Sequence, residues 1–145
     1  IDLSETVRNS LVQLTPWLLS KQLELAFEDS AEPFHVMASA TAIDIALNNL
    51  ITNAANFSPE HGVITVTLTE DNGFCHLRVE DQGPGIDEED RERLFERFYS
   101  RGNHQGAGLG LTIVNTIATR LGGRITLVNR AEGGLRATLS VPHGQ

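Results

Sequence analysis

The 145-residue chain is poor in basic residues, with 11 Lys and Arg against 19 Asp and Glu, which gives a formal net charge of −8. This balance argues against a nucleic-acid-binding surface, which needs a basic patch. Lys21 is the single lysine and lies far from every glycine cluster. A P-loop, which requires Gly-Lys-Ser/Thr, is therefore excluded as well.

Cysteine and long apolar runs are also scarce. The single cysteine, Cys75, excludes a disulfide within the chain, and its position in a strand-like run predicts a buried, inert thiol in a cytosolic setting. No apolar run approaches the ~20 residues of a membrane-spanning helix, and the N-terminus lacks a signal-peptide pattern. Since the chain begins abruptly on an amphipathic segment without Met, we expect a fragment of a longer protein.

Hydrophobic periodicity predicts helices interleaved with strands. Helices are predicted at 3–20, 40–57, 87–98 and from Gly106 onward to the terminating Gly122-Gly123. Pro16 is expected to split or end the first helix early, and Ile113, Ile117 and Leu121 are expected to lie on one stripe of the last. Strands are predicted at 23–27, 34–37, 62–70, 74–81, 124–129 and 136–141. This order predicts one domain, a two-layer α/β sandwich with a largely antiparallel sheet.

Three asparagines, Asn49, Asn53 and Asn56, recur in the helix predicted over residues 40–57. At 100° per residue they form one narrow stripe beside an apolar stripe that faces the core. Asparagine is a poor helix former, because its side chain competes with the backbone for hydrogen bonds. The stripe is either a tolerated polar face or a row of neutral oxygens and N–H donors directed at a polyanion and its metal.

Asp81 has the parity of the apolar row of its strand, so its carboxylate needs hydrogen-bond donors on the buried side of the sheet. An adenine amino group is one such donor, and Gly83 and Gly85 would allow a base to approach the backbone closely. The alternative is a carboxylate that caps the turn following it.

The stretch GAGLGL, residues 106–111, begins a predicted helix. A dinucleotide-binding fingerprint would need glycine at position 111 and a preceding strand, and neither is present. What remains is a glycine-rich helix N-terminus, whose free N–H groups and positive dipole end favour phosphate.

Taken together, the ordered stretches NNLITNAANFS, DQGPG, LFERFY, GAGLGL and EGG resemble the ATP-binding catalytic domain of the sensor histidine kinases of two-component signalling. The resemblance spans nearly the whole chain. It implies the Bergerat fold, an α/β (α+β) two-layer sandwich with a mixed, mostly antiparallel sheet packed on about three helices. It also implies that residues 1–145 are a single catalytic domain, a fragment without the acceptor-histidine and sensor domains.

The resemblance implies a role for each matching residue. Asn49 and Asn53 would be the catalytic asparagines of the N box, with an oxygen of Asn53 as ligand of Mg²⁺, and Asp81 would bind the adenine amino group. The residues expected to contact ATP are Asn49, Asn53, Asn56, Phe57, Asp81, Gly83, Gly85, Ile86, Arg97, Phe98, Tyr99, Arg101, Gln105, Gly106, Ala107, Gly108, Leu109, Gly110 and Leu111.

The sequence departs from the family pattern in two places. Asn56 and Phe57 stand where the family usually has a basic residue and a tyrosine, and the lid from Tyr99 to Gly106 is short. Weaker or faster-exchanging nucleotide is the expected consequence.

The implied function is transfer of the γ-phosphoryl group of Mg-ATP to a histidine on a separate dimerisation domain. The alternatives are an anti-sigma-factor-type serine kinase of the same fold and a catalytically silent nucleotide-sensing module. ATP-hydrolysing relatives carry a general-base Glu at the position of Asn49, and an amide cannot take that role.

None of the five histidines begins the acceptor pattern of the family, and each is interpreted as a surface residue. The expected partners are the acceptor-histidine dimerisation domain of the same kinase and a downstream response regulator, with no nucleic acid. The resemblance implies a monomeric isolated domain in the cytoplasm, and a full-length homodimer in the bacterial inner membrane.

Overall fold

A computed structural model of the protein describes residues 1–29, 35–86 and 110–144. Within these ranges the chain forms three helices and five strands. They are α1 (Leu3–Ser20), β1 (Glu24–Asp29), α2 (Ala40–Phe57), β2 (Val63–Asp71), β3 (Phe74–Glu80), α3 (Gly110–Arg120), β4 (Arg124–Asn129) and β5 (Leu135–Pro142). The predicted acidic helix at 87–98, the lid and the first residues of the glycine-rich stretch lie outside the described residues.

The five strands form one mixed sheet in the order β1-β2-β3-β5-β4. Strands β1 and β2 are parallel, and the other neighbours are antiparallel. The β2–β3 hairpin closes through Asn72 and Gly73, whose φ angles of 55° and 81° are those that a two-residue hairpin turn requires. The predicted two-layer sandwich, with a mixed and mostly antiparallel sheet, is confirmed.

Side-chain alternation gives the sheet one apolar and one polar face. Residues of one parity in β2 and β3 are at most 2% exposed and pack under the helices, namely Ile64, Val66, Leu68, Cys75, Leu77 and Val79. Helix α2 contributes the predicted stripe of Ile43, Leu47, Leu50 and Ala54, all at most 3% exposed. Burying a side chain of this size stabilises the fold by roughly 1.5–3 kcal/mol, so this interface holds the two layers together.

The prediction that Pro16 disturbs the first helix is wrong, since α1 continues through it to Ser20. Proline removes the bond that its N–H would make to the carbonyl of Val12. Both Pro16 and Val12 lie on the exposed side of the helix, where water can bind that carbonyl. The helix therefore continues through the proline without leaving a buried carbonyl unsatisfied.

The predicted stripe of α3 lies at the edge of the core, where Ile117 and Leu121 are partly buried. The buried side chains of this helix are Leu111, Val114 and Ala118, while Ile113 is 38% exposed. The i, i+3, i+7 spacing of the observed stripe places it about one position away from the predicted one. The predicted end of the helix is confirmed, because Gly122 has a φ of 78° and the N–H of Gly123 donates to the carbonyl of Ala118.

Within the described ranges, none of the helices combines the length and the apolar character that crossing a lipid bilayer would need.

Candidate functional site

The amide of Asn53 lies buried on α2, with only 6% of the residue exposed. Its Oδ1 atom accepts no hydrogen bond from any residue in the described ranges. Leaving a buried acceptor unsatisfied costs about 1–3 kcal/mol, so such an oxygen is typical of a ligand-binding position. An amide oxygen is also a ligand type that Mg²⁺ accepts, so the site fits this metal.

Two further asparagines flank Asn53 at helical spacing. Asn49, one turn earlier, is half-buried, and its Nδ2 donates to the carbonyl of Ile45 at 2.8 Å. Asn56, nearly one turn later, is half-buried as well. The structure therefore keeps the predicted stripe together on one side of α2, with its middle residue the most buried.

Asp81 follows β3 directly and is 2% exposed. Its Oδ1 accepts from the N–H of Gly83 at 2.9 Å and from the N–H of Leu135 at 3.1 Å. Its backbone N–H donates to the carbonyl of Leu135 at 3.0 Å. Turn capping is thus one role of this carboxylate.

Two glycines allow the chain around Asp81 to pack against its neighbours. A Cβ atom on Gly83 would lie 2.3 Å from the carbonyl oxygen of Phe57, at the end of α2. A Cβ atom on Gly134 would lie 2.0 Å from the carbonyl oxygen of Asp81. Gly83 therefore brings the segment after Asp81 into contact with the asparagine-bearing helix, one turn beyond Asn53.

Asn129, at the end of β4, is a site residue that sequence reasoning missed. Its side-chain amide bonds the backbone of Ile86 in the way that a neighbouring strand would. The Oδ1 accepts from the N–H of Ile86 and the Nδ2 donates to the carbonyl of Ile86, both at 2.8 Å. Gly85 adopts a φ of 78°, and a Cβ there would lie 2.5 Å from the Asn129 Oδ1. Asn129 therefore positions the segment in which Gly85 and Ile86 are the predicted binding residues.

Arg130 is a second residue that the sequence did not single out. Its Nη1 donates to the carbonyl of Asp81 at 2.7 Å, and its Nη2 donates to Glu132 at 3.0 Å. Glu80 lies between Arg130 and Arg136, at 3.4 Å and 3.0 Å. These contacts connect the β4–β5 turn to the backbone of Asp81 and to the side chain of Glu80.

The remaining predicted contacts fall at or beyond the edge of the described residues. Gly110 begins α3, and Leu111 is 3% exposed, with its side chain in the hydrophobic core. The residues from Arg97 to Leu109 lie outside the described ranges.

Cys75 lies at the other end of β3 from Asp81 and is fully buried, as predicted. Burial raises the pKa of its thiol from 9.0 to about 11, and the nearby carboxylate of Glu70 acts in the same direction. The thiol is therefore protonated at neutral pH, which agrees with a cysteine that is not a reactive nucleophile.

Comparison with known proteins places this arrangement in a family. Residues 38–145 match the family described as histidine kinase-, DNA gyrase B- and HSP90-like ATPase. The sensor protein CreC of Escherichia coli (strain K12) is 43% identical over 108 residues, which cover 72% of this chain and 23% of CreC. The chain spans less than half the length of the curated relatives that it matches first.

Solved structures are similar over the whole chain. The catalytic domain of the histidine kinase ThkA superposes with a TM-score of 0.88 at 31% identity, covering 98% of this chain and 93% of that one. Full-length ShkA, in complex with AMPPNP, superposes with a TM-score of 0.87 at 27% identity, covering 100% of this chain and 31% of ShkA.

The family match covers more than half of the chain, and the likeness to ThkA extends over nearly all of both domains. The sheet order and the three helices agree with that likeness. The chain therefore belongs to the histidine kinase-, DNA gyrase B- and HSP90-like ATPase family, and within it to the catalytic domains of the sensor histidine kinases.

Proposed function

We propose that this chain binds Mg-ATP and transfers the γ-phosphoryl group to a histidine on a separate dimerisation and phosphoacceptor domain, in two-component signalling. The observation that carries the proposal is the buried Oδ1 of Asn53, which has no hydrogen-bond partner among the described residues and lies one helical turn from the point where α2 meets the Asp81 segment. A neutral oxygen there receives a metal-bound polyanion without adding to the −8 charge of the chain.

Asn53 is the residue that would hold Mg²⁺. The ion keeps several waters and shares the nucleotide phosphates, so one neutral amide oxygen is a sufficient protein ligand. When bound, Mg²⁺ supplies positive charge that neutralises the phosphate oxygens. A contact to that ion would also satisfy the amide oxygen, which accepts from no donor among the described residues.

Asp81 is the residue that would select adenine. Its backbone is bonded to Leu135, and its Oδ1 is held by Gly83 and Leu135, so the carboxylate cannot rotate away. A fixed acceptor favours an amino group over the carbonyl that guanine presents at the corresponding position. The structure of ShkA with AMPPNP supports an adenine nucleotide as the ligand class.

Asn49 is the residue that favours transfer over hydrolysis. It occupies the position of the general-base Glu of hydrolysing relatives, and its Nδ2 already donates to the helix at Ile45. An amide cannot accept a proton from water at neutral pH, so water is not activated there. The γ-phosphoryl group is then transferred to an external nucleophile instead of water. This transfer depends mainly on the positioning of the reacting groups and on charge stabilisation.

The acceptor would come from another domain. His35, His61, His76 and His143 lie in bridge, turn, strand and terminal positions, and none lies on a helix as the acceptor pattern requires. His104, outside the described residues, lacks that pattern as well. The partners we propose are therefore the acceptor-histidine domain of the same kinase and a response regulator, in a homodimeric membrane sensor whose catalytic domain is cytoplasmic.

The other nucleotide contacts of the proposal rest on the family pattern. They are Asn56, Phe57, Gly83, Gly85 and Ile86 in the described part of the chain, then Arg97, Phe98, Tyr99, Arg101 and the stretch from Gln105 to Leu111.

Labelling in trans tests the function. With γ-labelled ATP, Mg²⁺ and its cognate acceptor domain, this chain should label that domain with an acid-labile, base-stable phosphohistidine, and should label nothing when alone. Asn53→Ala should abolish labelling. Asn48→Ala is the matched control, because Asn48 is a half-buried amide on the same helix whose Nδ2 donates to the carbonyl of Asp44.

Two results would contradict the proposal. An acid-stable phosphoserine on a partner protein would select the serine kinase instead. Rapid steady hydrolysis of ATP by the chain alone would show that Asn49 does not prevent water activation.

A further inference from the structure

Three side chains with different ligand atoms meet at the end of β3 that lies away from Asp81. Glu70 comes from β2, Cys75 from β3, and His143 follows β5 directly. Glu70 pairs with Cys75, and Cys75 pairs with Val141, in antiparallel register. Because side chains alternate, His143, two residues after Val141, lies on the same side of the sheet as the other two.

The three groups are close enough to share one ion. A carboxylate oxygen of Glu70, the Sγ of Cys75 and a ring nitrogen of His143 all lie within 4.8 Å of one another. Ligand atoms around a tetrahedral Zn²⁺, with bonds of about 2.0–2.3 Å, are roughly 3.5 Å apart. Small rotations of the half-exposed Glu70 and His143 side chains therefore suffice to form such a centre.

The backbone already holds this arrangement. The N–H of His143 donates to the carbonyl of Gly73 at 2.8 Å, which ties the end of the chain to the β2–β3 turn. His143 Nε2 lies 2.7 Å from Glu70 Oε2, so the two outer ligands are in contact before any ion enters. Cys75 lies behind them, fully buried, and closes the inner side of the site.

We propose that Glu70, Cys75 and His143 form a binding site for a borderline divalent transition-metal ion of the Zn²⁺ class, separate from the nucleotide site. The mixed oxygen, sulfur and nitrogen set suits Zn²⁺ or Co²⁺ and not Mg²⁺, which requires oxygen ligands. The fourth position belongs to water. Binding breaks the S–H bond of Cys75 and releases that proton to solvent, while His143 binds in its neutral form.

The buried thiol decides which ions can compete for the site. Since one of the three ligands is a thiol, only an ion with a high affinity for thiolate displaces its proton at neutral pH. A bound ion would join β2, β3 and the segment after β5, and would stabilise the folded chain by mass action.

Cobalt titration of the full chain tests the site. In excess Mg²⁺, which occupies hard oxygen sites, one equivalent of Co²⁺ should produce a thiolate-to-cobalt charge-transfer band that Zn²⁺ abolishes by displacement. Cys75→Ser should remove the band. Glu70→Gln and His143→Asn should each weaken cobalt affinity by at least about tenfold. Changing a residue that only hydrogen-bonds to a metal ligand already costs about that much, and loss of the ligand itself costs more.

The control is His61→Asn. His61 and Glu60 form a similar exposed pair, 3.3 Å apart, without a cysteine beside them, and this variant should bind cobalt as the parent does. Cys75→Ser also places a hydroxyl group in the core, so the two variants at the half-exposed positions provide the independent test. Absence of the band in the folded parent, or an unchanged affinity in both Glu70→Gln and His143→Asn, overturns the proposal.

Discussion

Asp81 combines a structural role and a proposed recognition role in one side chain. Asp81→Asn keeps an oxygen that can accept from Gly83 and Leu135, so the fold should lose little stability. The amide replaces one carboxylate oxygen by a donor, and loss of a charged acceptor costs about 1.5–3 kcal/mol of binding free energy. We expect a large loss of ATP affinity with a small change in unfolding free energy, measured by calorimetric titration and by denaturant unfolding. Equal competition by GTP and ATP in the parent protein would refute the recognition role.

Cys75 should make stability depend on pH in the alkaline range. The pKa of the folded thiol is raised from 9.0 to about 11, so the folded state keeps a proton that the unfolded state loses. Its contribution to stability is complete below pH 9 and decreases as the pH rises toward 11. With a chelator present, the unfolding free energy of the parent should fall more steeply over this interval than that of Cys75→Ala. Parallel curves for the two proteins would contradict this expectation.

The β4–β5 turn is the element on which the Asp81 segment depends most directly. Gly133 and Gly134 both have positive φ angles, 103° and 99°, but only Gly134 lies against another backbone, that of Asp81. Alanine at either position strains the backbone by about 1–3 kcal/mol, and at Gly134 it also displaces the Asp81 carbonyl. We therefore expect Gly134→Ala to lower both stability and ATP affinity.

Gly133→Ala is the matched control for that change, because in the described part of the chain no atom beyond its two neighbours lies within 4 Å of its added Cβ. It should lower stability by the strain alone and leave the affinity unchanged. Thermal unfolding and nucleotide titration of the two variants side by side measure both effects, and equal losses in the two would show that the contact with Asp81 has no influence.

Helix α2 and helix α3 show why some elements are predictable and others are not. In α2 the apolar stripe is long and regular, so the sequence predicts its bounds and its buried face correctly. In α3 apolar residues occur on more than one side, and the choice between Ile113 and Val114 is made by the packing of the helix on α2 and the sheet. Periodicity alone cannot decide that choice.

At the scale of the whole molecule, the fold is predictable from the alternation of apolar and polar side chains along the strands and from the turn residues between them. Both are local features of the sequence. Asn129 and Arg130 escape such reasoning, because their partners Ile86 and Asp81 are 43 and 49 residues away in the sequence. Asn53 and Asp81 stand out in the sequence, because asparagine is a poor helix former and a carboxylate in an apolar row of a strand is unusual. The sequence does not indicate which residues hold Asp81 and its neighbours in place, because these contacts join strands that are far apart in the sequence.

The central position of β3 in the sheet has a consequence for the dynamics of the site. Asp81 follows β3, the central strand, whose neighbours β2 and β5 are themselves paired with β1 and β4. The N–H of Asp81 donates to the carbonyl of Leu135 at the start of β5. Amide groups in such a position exchange with solvent only when a large part of the sheet opens. We therefore expect the Asp81 N–H to exchange at a rate close to that of global unfolding, so that modest destabilisation elsewhere reduces the number of folded molecules without loosening the geometry around Asp81.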